Sequence, residues 1–166
     1  HSFTTIRDAE LLRNNTFAYV DKKADENLHL YFKQLSIEPG VNDVDIEVNN
    51  RKLHAVQASI GVVHFDFSVL CESARSQGDY MELSRIYHTV LLGNVKQMGA
   101  ESDDAARRFI ALIDEFYERN VKLIISAEVA MDALYTHGNL VFEFKRCLSR
   151  LQEMQSEDYL ATEHLL

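Results

Sequence analysis

The sequence has few of the features that mark catalytic, metal and membrane sites. None of its six glycines is followed by lysine, so it has no G-x-x-x-x-G-K-[ST] loop to cradle nucleotide phosphates. Its two cysteines, Cys71 and Cys147, form no C-x-x-C pair, which favours two free thiols over a disulfide. The seven histidines show no metal-ligand spacing, and no apolar run approaches the roughly 20 residues that span a bilayer. These absences argue against a metal enzyme, a disulfide scaffold and a transmembrane protein.

Positive charge is also scarce. The net charge of −9 and a pI near 5.2 argue against a general nucleic-acid binder, whose phosphate contacts require a cationic surface. With 46% hydrophobic and 26% charged residues, the composition is that of an ordinary globular domain. We therefore expect residues 1–166 to form one soluble, cytoplasmic domain or a fragment of a larger protein, because the chain opens on His1 rather than Met.

The clearest pattern is a helix followed by a buried strand, between Asp104 and Val129. Apolar side chains recur at the helical spacing i, i+3, i+4, i+7 and i+8, at Phe109, Leu112, Ile113, Phe116 and Tyr117. Ser102 is a candidate N-cap, and Asn120 can end the helix in a left-handed conformation. The β-branched run from Val121 to Ile125 is typical of a strand covered on both faces, which indicates an α/β architecture.

One segment of this helix resembles a Walker B strand. Ile110 to Glu115 reads IALIDE, an apolar run followed by two carboxylates that would hold magnesium in a nucleoside triphosphatase. The helical period continues through Asp114 and Glu115 to Tyr117, however, which places the pair in the middle of a helix. We therefore expect these two carboxylates to lie on a solvated helix face.

An antiparallel β-meander is predicted between residues 36 and 67. Alternating residues from Val44 to Val48 indicate a half-buried strand, and Asn49-Asn50 a turn. Lys52 to Val56 and Gly61 to Phe67 complete the meander. The other predicted elements are strands at Thr16–Val20 and His88–Leu92 and helices at Asp21–Leu35, Asp79–Ile86, Val141–Met154 and Ser156–His164. The fold class is thus mixed α/β: an antiparallel meander, helices and a buried strand, with a helix-strand-helical region over 102–166.

Two arginines are candidates for a phosphate contact. Arg146 and Arg150 lie one turn apart on a predicted helix, and a guanidinium is always charged and forks well onto phosphate oxygens. The alternative is that Glu143, Glu153 and Glu157, at helical spacing, neutralise both arginines as surface pairs. Spacing alone leaves the two interpretations open.

A second polar patch contains Arg75, Asp79 and Tyr80. It lies on a predicted loop before a helix, and loops often carry binding residues, so the patch is a candidate partner-binding site. A buried polar network that fixes the loop is an equal alternative. Asp79, Ser84 and His88 include the residue types of a hydrolase triad, but the chain has no G-x-S-x-G elbow to support that activity.

Three long segments resemble the C-terminal part of the ZapE family of P-loop ATPases, bacterial cell-division relatives of the mitochondrial Afg-type AAA+-like proteins. They are Leu70 to Leu91 (LCESARSQGDYMELSRIYHTVL), Arg107 to Val129 (RRFIALIDEFYERNVKLIISAEV) and Phe142 to Leu165 (FEFKRCLSRLQEMQSEDYLATEHL). The segments occur in the family's order and cover most of residues 68–165.

The resemblance implies that this chain is the C-terminal portion of an AAA+-like ATPase. In the family, the Walker A, Walker B and sensor 1 motifs lie in an N-terminal half, so the chain alone is expected to be inactive and to bind no cofactor. The full-length protein would use ATP and Mg²⁺. Arg150 is our first candidate, and Arg146 our second, for a sensor-2 arginine or an arginine finger.

The resemblance also implies partners and a location. The family acts on the bacterial division ring, with FtsZ as the proposed partner, at the inner face of the membrane and without crossing it. Self-association is a further option that the sequence leaves open. A different class of function, a non-catalytic protein–protein interaction module, would leave both arginines with structural roles only.

Overall fold

A computed structural model describes residues 17–19 and 22–165. Its strands are β1 (Phe17–Tyr19), β2 (Val41–Val48), β3 (Arg51–Ser59), β4 (Val62–Asp66), β5 (Thr89–Val95) and β6 (Lys122–Ala127). Its α-helices are α1 (Lys22–Leu35), α2 (Phe67–Cys71), α3 (Gln77–Ile86), α4 (Asp103–Glu118), α5 (Val141–Glu153) and α6 (Glu157–Ala161). Short 3-10 turns occupy Ala100–Ser102 and Met131–Ala133. The predicted strand at Thr16–Val20 is confirmed for its three central residues, and its two ends lie outside the described residues.

The described strands form one mixed sheet in the order β1-β6-β5-β4-β3-β2. Strands β2, β3 and β4 pair antiparallel, which confirms the meander. Asn49 and Asn50 turn the first hairpin with φ values of 52° and 64°, as type I′ turns require. Strands β4, β5, β6 and β1 are parallel, and helices connect them. The mixed α/β class inferred from the sequence is therefore confirmed.

The predicted helix and strand after Ser102 are confirmed as α4 and β6. All the apolar positions predicted to face inward are buried except Tyr117, which is partly buried, and Asp114 and Glu115 lie within the helix, not at the end of a strand. Asn120 has a φ of 57° and reverses the chain in the left-handed conformation. Every residue of β6 is buried, because α4 and its neighbours cover one face and α1 the other.

Three local predictions were wrong in detail. Ser102 occupies the N-cap position, but its hydroxyl accepts from the backbone N–H of Gly99 at 3.0 Å and does not cap α4. Phe67 begins helix α2, because the Asp66 carboxylate accepts from the backbone N–H of Ser68 and caps a helix there. The final helix ends at Ala161, so α6 is shorter than predicted, although Ser156 caps it as expected.

The core lies on both faces of the parallel strands. Helix α1 packs on β4, β5 and β6, and helices α2, α3 and α5 pack around α4 on the opposite side. Cys71 and Cys147 are buried free thiols, as the sequence indicated, and burial raises the pKa of both. Within residues 17–19 and 22–165, no helix combines the length and apolarity that a membrane span requires.

Candidate functional site

Arg150 is held in a fixed orientation by two residues of α4. Its Nη1 forms an ion pair with Oδ1 of Asp114, and its guanidinium lies 5.1 Å from the centroid of the Tyr117 ring. The cation–π contact and the carboxylate together restrict the side chain, which still exposes 22% of its surface. Arg150 is thus a preorganised guanidinium at the surface of the α4–α5 layer.

Arg146 shares the same carboxylate but is far more exposed. Its Nη2 lies 3.7 Å from Oδ2 of Asp114, and 67% of its side chain is exposed to solvent. The sequence suggested glutamates at helical spacing as neutralising partners, but the carboxylate with which both arginines form ion pairs comes from α4. Of those glutamates, Glu153 instead accepts a hydrogen bond from the Tyr117 hydroxyl. Asp114 was missed as a partner because its distance in sequence, 36 residues from Arg150, carries no helical spacing.

The arginine cluster lies away from the carboxyl ends of the parallel strands. Helix α4 begins after the carboxyl end of β5 and returns to the amino end of β6, and Asp114 is about 16 Å along it from Asp103 at 1.5 Å per residue. Ligands of open α/β sheets usually bind outside the carboxyl ends of the strands. Arg150, which pairs with Asp114, therefore lies away from the ordinary ligand edge of this domain.

At that carboxyl edge, the polar side chains among the described residues are paired with one another. Asp66 accepts from the Asn94 amide at 2.7 Å, and the backbone N–H of Asn94 donates to the Ser126 hydroxyl at 2.9 Å. Lys96 is paired with Glu72 at 3.1 Å. These polar groups at the ends of β4, β5 and β6 largely satisfy one another, and their carboxylates would repel an anion. The described residues at this edge do not fit the phosphates of the nucleotide that the family resemblance implies.

Asp79 lies in a buried polar network. Only 1% of its side chain is exposed, and its carboxylate accepts from the Asn49 amide at 3.2 Å and the Ser76 backbone N–H at 2.9 Å. Arg51 completes the network with an ion pair to the same carboxylate. Burial alone would raise the pKa of Asp79, but these three donors outweigh it and lower the pKa. The network ties the β2–β3 turn to the start of α3.

Tyr80 is also buried, and its hydroxyl donates to the Leu70 carbonyl at 2.6 Å. Arg75 is half-buried and donates from Nε to the Val69 carbonyl at 2.9 Å. Of the three residues considered for partner binding, only Arg75 thus presents part of its side chain at the surface. The geometry of this patch is that of the alternative interpretation, a network that fixes the loop.

Asp79, Ser84 and His88 do not assemble into a triad. The Ser84 hydroxyl donates to the Met81 carbonyl at 2.6 Å, and His88 Nδ1 lies 2.9 Å from the Thr89 hydroxyl. The Asp79 carboxylate is occupied by Arg51, as described above. No hydrogen bond joins any two of these three side chains, which agrees with the missing G-x-S-x-G elbow.

His88 makes the fold sensitive to acid, and we expect stability to fall as pH drops below about 6.5. Burial lowers the pKa of His88 to about 4, and the charges of His164 and Lys122 contribute. The unfolded chain protonates near 6.5 while the folded chain does not, so the proton favours unfolding in that window. Urea unfolding at pH 7 and pH 5 should show a loss of about 1–2 kcal/mol. We expect His88→Gln to remove most of this loss and His164, whose pKa burial also lowers, to account for the rest.

His54 provides the control for this measurement. It is exposed, and its pKa is raised, first by Asp45 and then by Asp43, so protonation of His54 favours the folded state. His54→Gln should therefore leave the acid sensitivity in place. An equal loss of stability in wild type and His88→Gln would assign the sensitivity to other groups.

Lys122 is a buried cation that the sequence analysis did not single out. Its ammonium donates to the carbonyls of Asn120 at 3.1 Å, Tyr159 at 3.0 Å and Thr162. Each of its three N–H groups therefore has one carbonyl acceptor. Burial lowers its pKa to about 8. The sequence feature that could have identified Lys122 is its position as a single lysine inside the apolar run that starts at Val121. A charge buried there requires hydrogen-bond partners. Lys122 joins the end of the chain to the start of β6.

Comparison with known proteins places the chain in a family. Residues 4–163 match the model of the AFG1-like ATPase family. Cell division protein ZapE of Escherichia coli strain K12 is 52% identical over 124 aligned positions, which cover 75% of this chain and 33% of ZapE. An uncharacterized protein of Schizosaccharomyces pombe is 32% identical, covering 84% of this chain and 36% of its own length. Lactation elevated protein 1 homolog B of Danio rerio is 27% identical, and the alignment covers 93% of this chain and 38% of that protein. The chain thus spans about one third of these relatives. No solved structure matches it significantly.

Proposed function

The chain belongs to the AFG1-like ATPase family, and we propose that it forms part of an ATP-hydrolysing, AAA+-like cell-division protein whose phosphate-binding loop lies outside these residues. The match over residues 4–163 and the identity to ZapE confirm the family resemblance of the sequence. Two observations support a phosphate-binding loop outside these residues. The chain has no Walker A loop, and the carboxyl edge of its sheet is lined by polar groups that are hydrogen-bonded to one another.

The observation that carries the proposal is the orientation of Arg150. A guanidinium stabilises the charge that develops on a γ-phosphate only if it is positioned before the reaction. Asp114 and Tyr117 supply that positioning while leaving part of the guanidinium open to solvent. We assign Arg150 the sensor or finger role, with Arg146 as a more mobile second cation on the same carboxylate.

In this proposal ATP and Mg²⁺ bind to the missing part of the protein, and this chain contributes only the arginines. The domain would then contact the nucleotide with its α4–α5 layer and not with the carboxyl edge of its sheet. We further propose a cytoplasmic protein that acts at the division site with FtsZ as partner. That assignment rests on the family resemblance and on the ZapE relative, which is named as a cell division protein.

Calorimetry with ATP and Mg²⁺ tests directly whether the phosphate-binding loop lies outside these residues. We expect the 166-residue chain to show no binding, because it holds no phosphate loop, and the full-length protein to bind. Urea unfolding of the isolated chain serves as the control that it is folded. Tight ATP binding by the isolated chain would contradict the proposal, since it would require a complete phosphate site within these residues.

A second candidate function is a non-catalytic protein–protein interaction module. It is favoured by a group of exposed apolar side chains at the end of the meander where β2 begins, including Ile37, Val41 and Ile60. In that case the arginines are structural, and Arg150→Ala leaves ATP turnover of the full-length protein unchanged. Charge reversal at Arg75, the accessible residue of the polar patch, would then weaken partner binding without an effect on turnover.

A further inference from the structure

Strand β2 forms an open edge of the sheet. It is the last strand in the sheet order, and within residues 17–19 and 22–165 only β3 pairs with it. An edge strand of eight residues presents unpaired backbone N–H and C=O groups along its outer side. Such an edge can accept another extended chain by β-strand addition.

Asp43 has an unusual backbone conformation for a residue within a strand. Its φ is 49°, and it lies between the pair Asn42–Gln57 and the pair Val44–Ala55, which share one register with β3. Val41, the first residue of β2, lines the same groove as Val44 and Ile46.

The groove beside β2 is apolar and open to solvent. It is lined chiefly by Pro39, Val41, Val44, Ile46, Ala58 and Ile60. Val41 is 60% exposed and Ile60 74%, although both are large apolar side chains. An exposed apolar groove beside an unpaired edge supplies the two requirements of strand addition, namely backbone partners and pockets for alternate side chains.

The charges along β2 determine what kind of chain fits. All three charged residues of the strand are acidic, namely Asp43, Asp45 and Glu47. His54 contacts the first two, and Lys52 lies across from Glu47, so the hairpin partly balances them. A second copy that paired through the same edge would oppose acid with acid, which is destabilising in cross-strand pairs. A basic partner gains from the same charges.

We propose that this edge and groove bind an extended, basic segment of another protein, in which apolar residues alternate with lysine or arginine. The backbone of the segment pairs with β2, its apolar side chains enter the groove, and its cations lie against Asp45 and Glu47. The site involves neither Arg150 nor a nucleotide. It therefore stands or fails independently of the ATPase proposal.

The probe is a fluorescein-labelled peptide of alternating lysine and valine, as long as β2, titrated with the 166-residue chain by anisotropy. We expect saturable binding that weakens about tenfold or more in Asp45→Lys/Glu47→Lys. Val41→Lys/Ile60→Lys should cause a similar loss, because it places cations in the groove. Both pairs are surface changes, and circular dichroism checks that the variants fold.

The control variant Glu101→Lys/Asp132→Lys makes the same change of net charge on exposed residues elsewhere and should alter affinity less than twofold. An alternating glutamate–valine peptide should bind Asp45→Lys/Glu47→Lys better than wild type. No saturable binding, or equal losses in the control and the β2 variants, would overturn the proposal. So would a dimer in sedimentation that Val41→Lys/Ile60→Lys abolishes, because the occupant would then be a second copy.

Discussion

Replacing Arg150 with alanine in the full-length protein should lower ATP turnover by about 1,000-fold or more, the lower end for a residue of arginine-finger type. The guanidinium is oriented by Asp114 and by the Tyr117 ring, so its loss removes a charge that is already positioned for the transition state. The fold should lose only about 1 kcal/mol, since the ion pair is partly exposed and Arg146 still faces Asp114. Steady-state ATPase assays measure the first effect.

Three companion variants make the Arg150 experiment specific. Arg150→Lys keeps the charge but loses the planar fork, and we expect intermediate turnover. Arg146→Ala removes the more exposed arginine and should have the smaller effect. Asp114→Asn leaves both arginines without their carboxylate partner, so turnover should fall through disorder of Arg150 and not through loss of charge. Wild-type turnover in Arg150→Ala, with the variant shown to be folded, would remove Arg150 from the mechanism.

Replacing Lys122 with methionine should destabilise the isolated domain by about 3 kcal/mol. Methionine is an apolar side chain of similar length, but it leaves the carbonyls of Asn120, Tyr159 and Thr162 without their donor. The ring of Tyr159, 5.0 Å from the ammonium, also loses its cation. Urea unfolding of the 166-residue chain measures the change in free energy.

Lys96→Met is the matched control for Lys122→Met. Lys96 makes an exposed ion pair with Glu72, and its loss should cost less than about 1 kcal/mol. Amide exchange adds a local readout, because the Leu165 N–H donates to the Arg119 carbonyl at 2.9 Å in the segment that Lys122 holds. We expect faster exchange there in Lys122→Met. Equal stability of the two methionine variants would show that the buried ammonium contributes nothing net to the fold.

Local patterns were sufficient to predict most of the secondary structure. The spacing of apolar residues predicted that Asp114 and Glu115 lie within a helix, which favoured a helix face over the Walker B interpretation, and the structure confirms the helix. The Asn49-Asn50 pair gave the hairpin turn, and the left-handed preference of Asn120 gave the end of α4. These features depend on neighbours within a few residues, so the sequence carries them directly.

The residues of the candidate site were predicted, but their partners were not, because those partners lie far away in the sequence. Arg146 and Arg150 were identified from their charge and spacing, but Asp114, the carboxylate with which both form ion pairs, lies on another helix. Asp79 was identified as polar and placed on a loop, yet its burial depends on Arg51 and Asn49 from a distant turn. Side chains far apart in sequence meet only once the sheet has brought their elements together.

By itself, the sequence determined the element types, the turns, the apolar faces and, through long similar segments, the family of this chain. The tertiary structure decided the strand order, in which β1 pairs with β6 more than 100 residues later. It also decided that Arg150 lies away from the carboxyl edge and that, among the described residues, only β3 pairs with β2. Periodicity specifies which side of an element is buried, but not what buries it, because that choice depends on packing between elements distant in the chain.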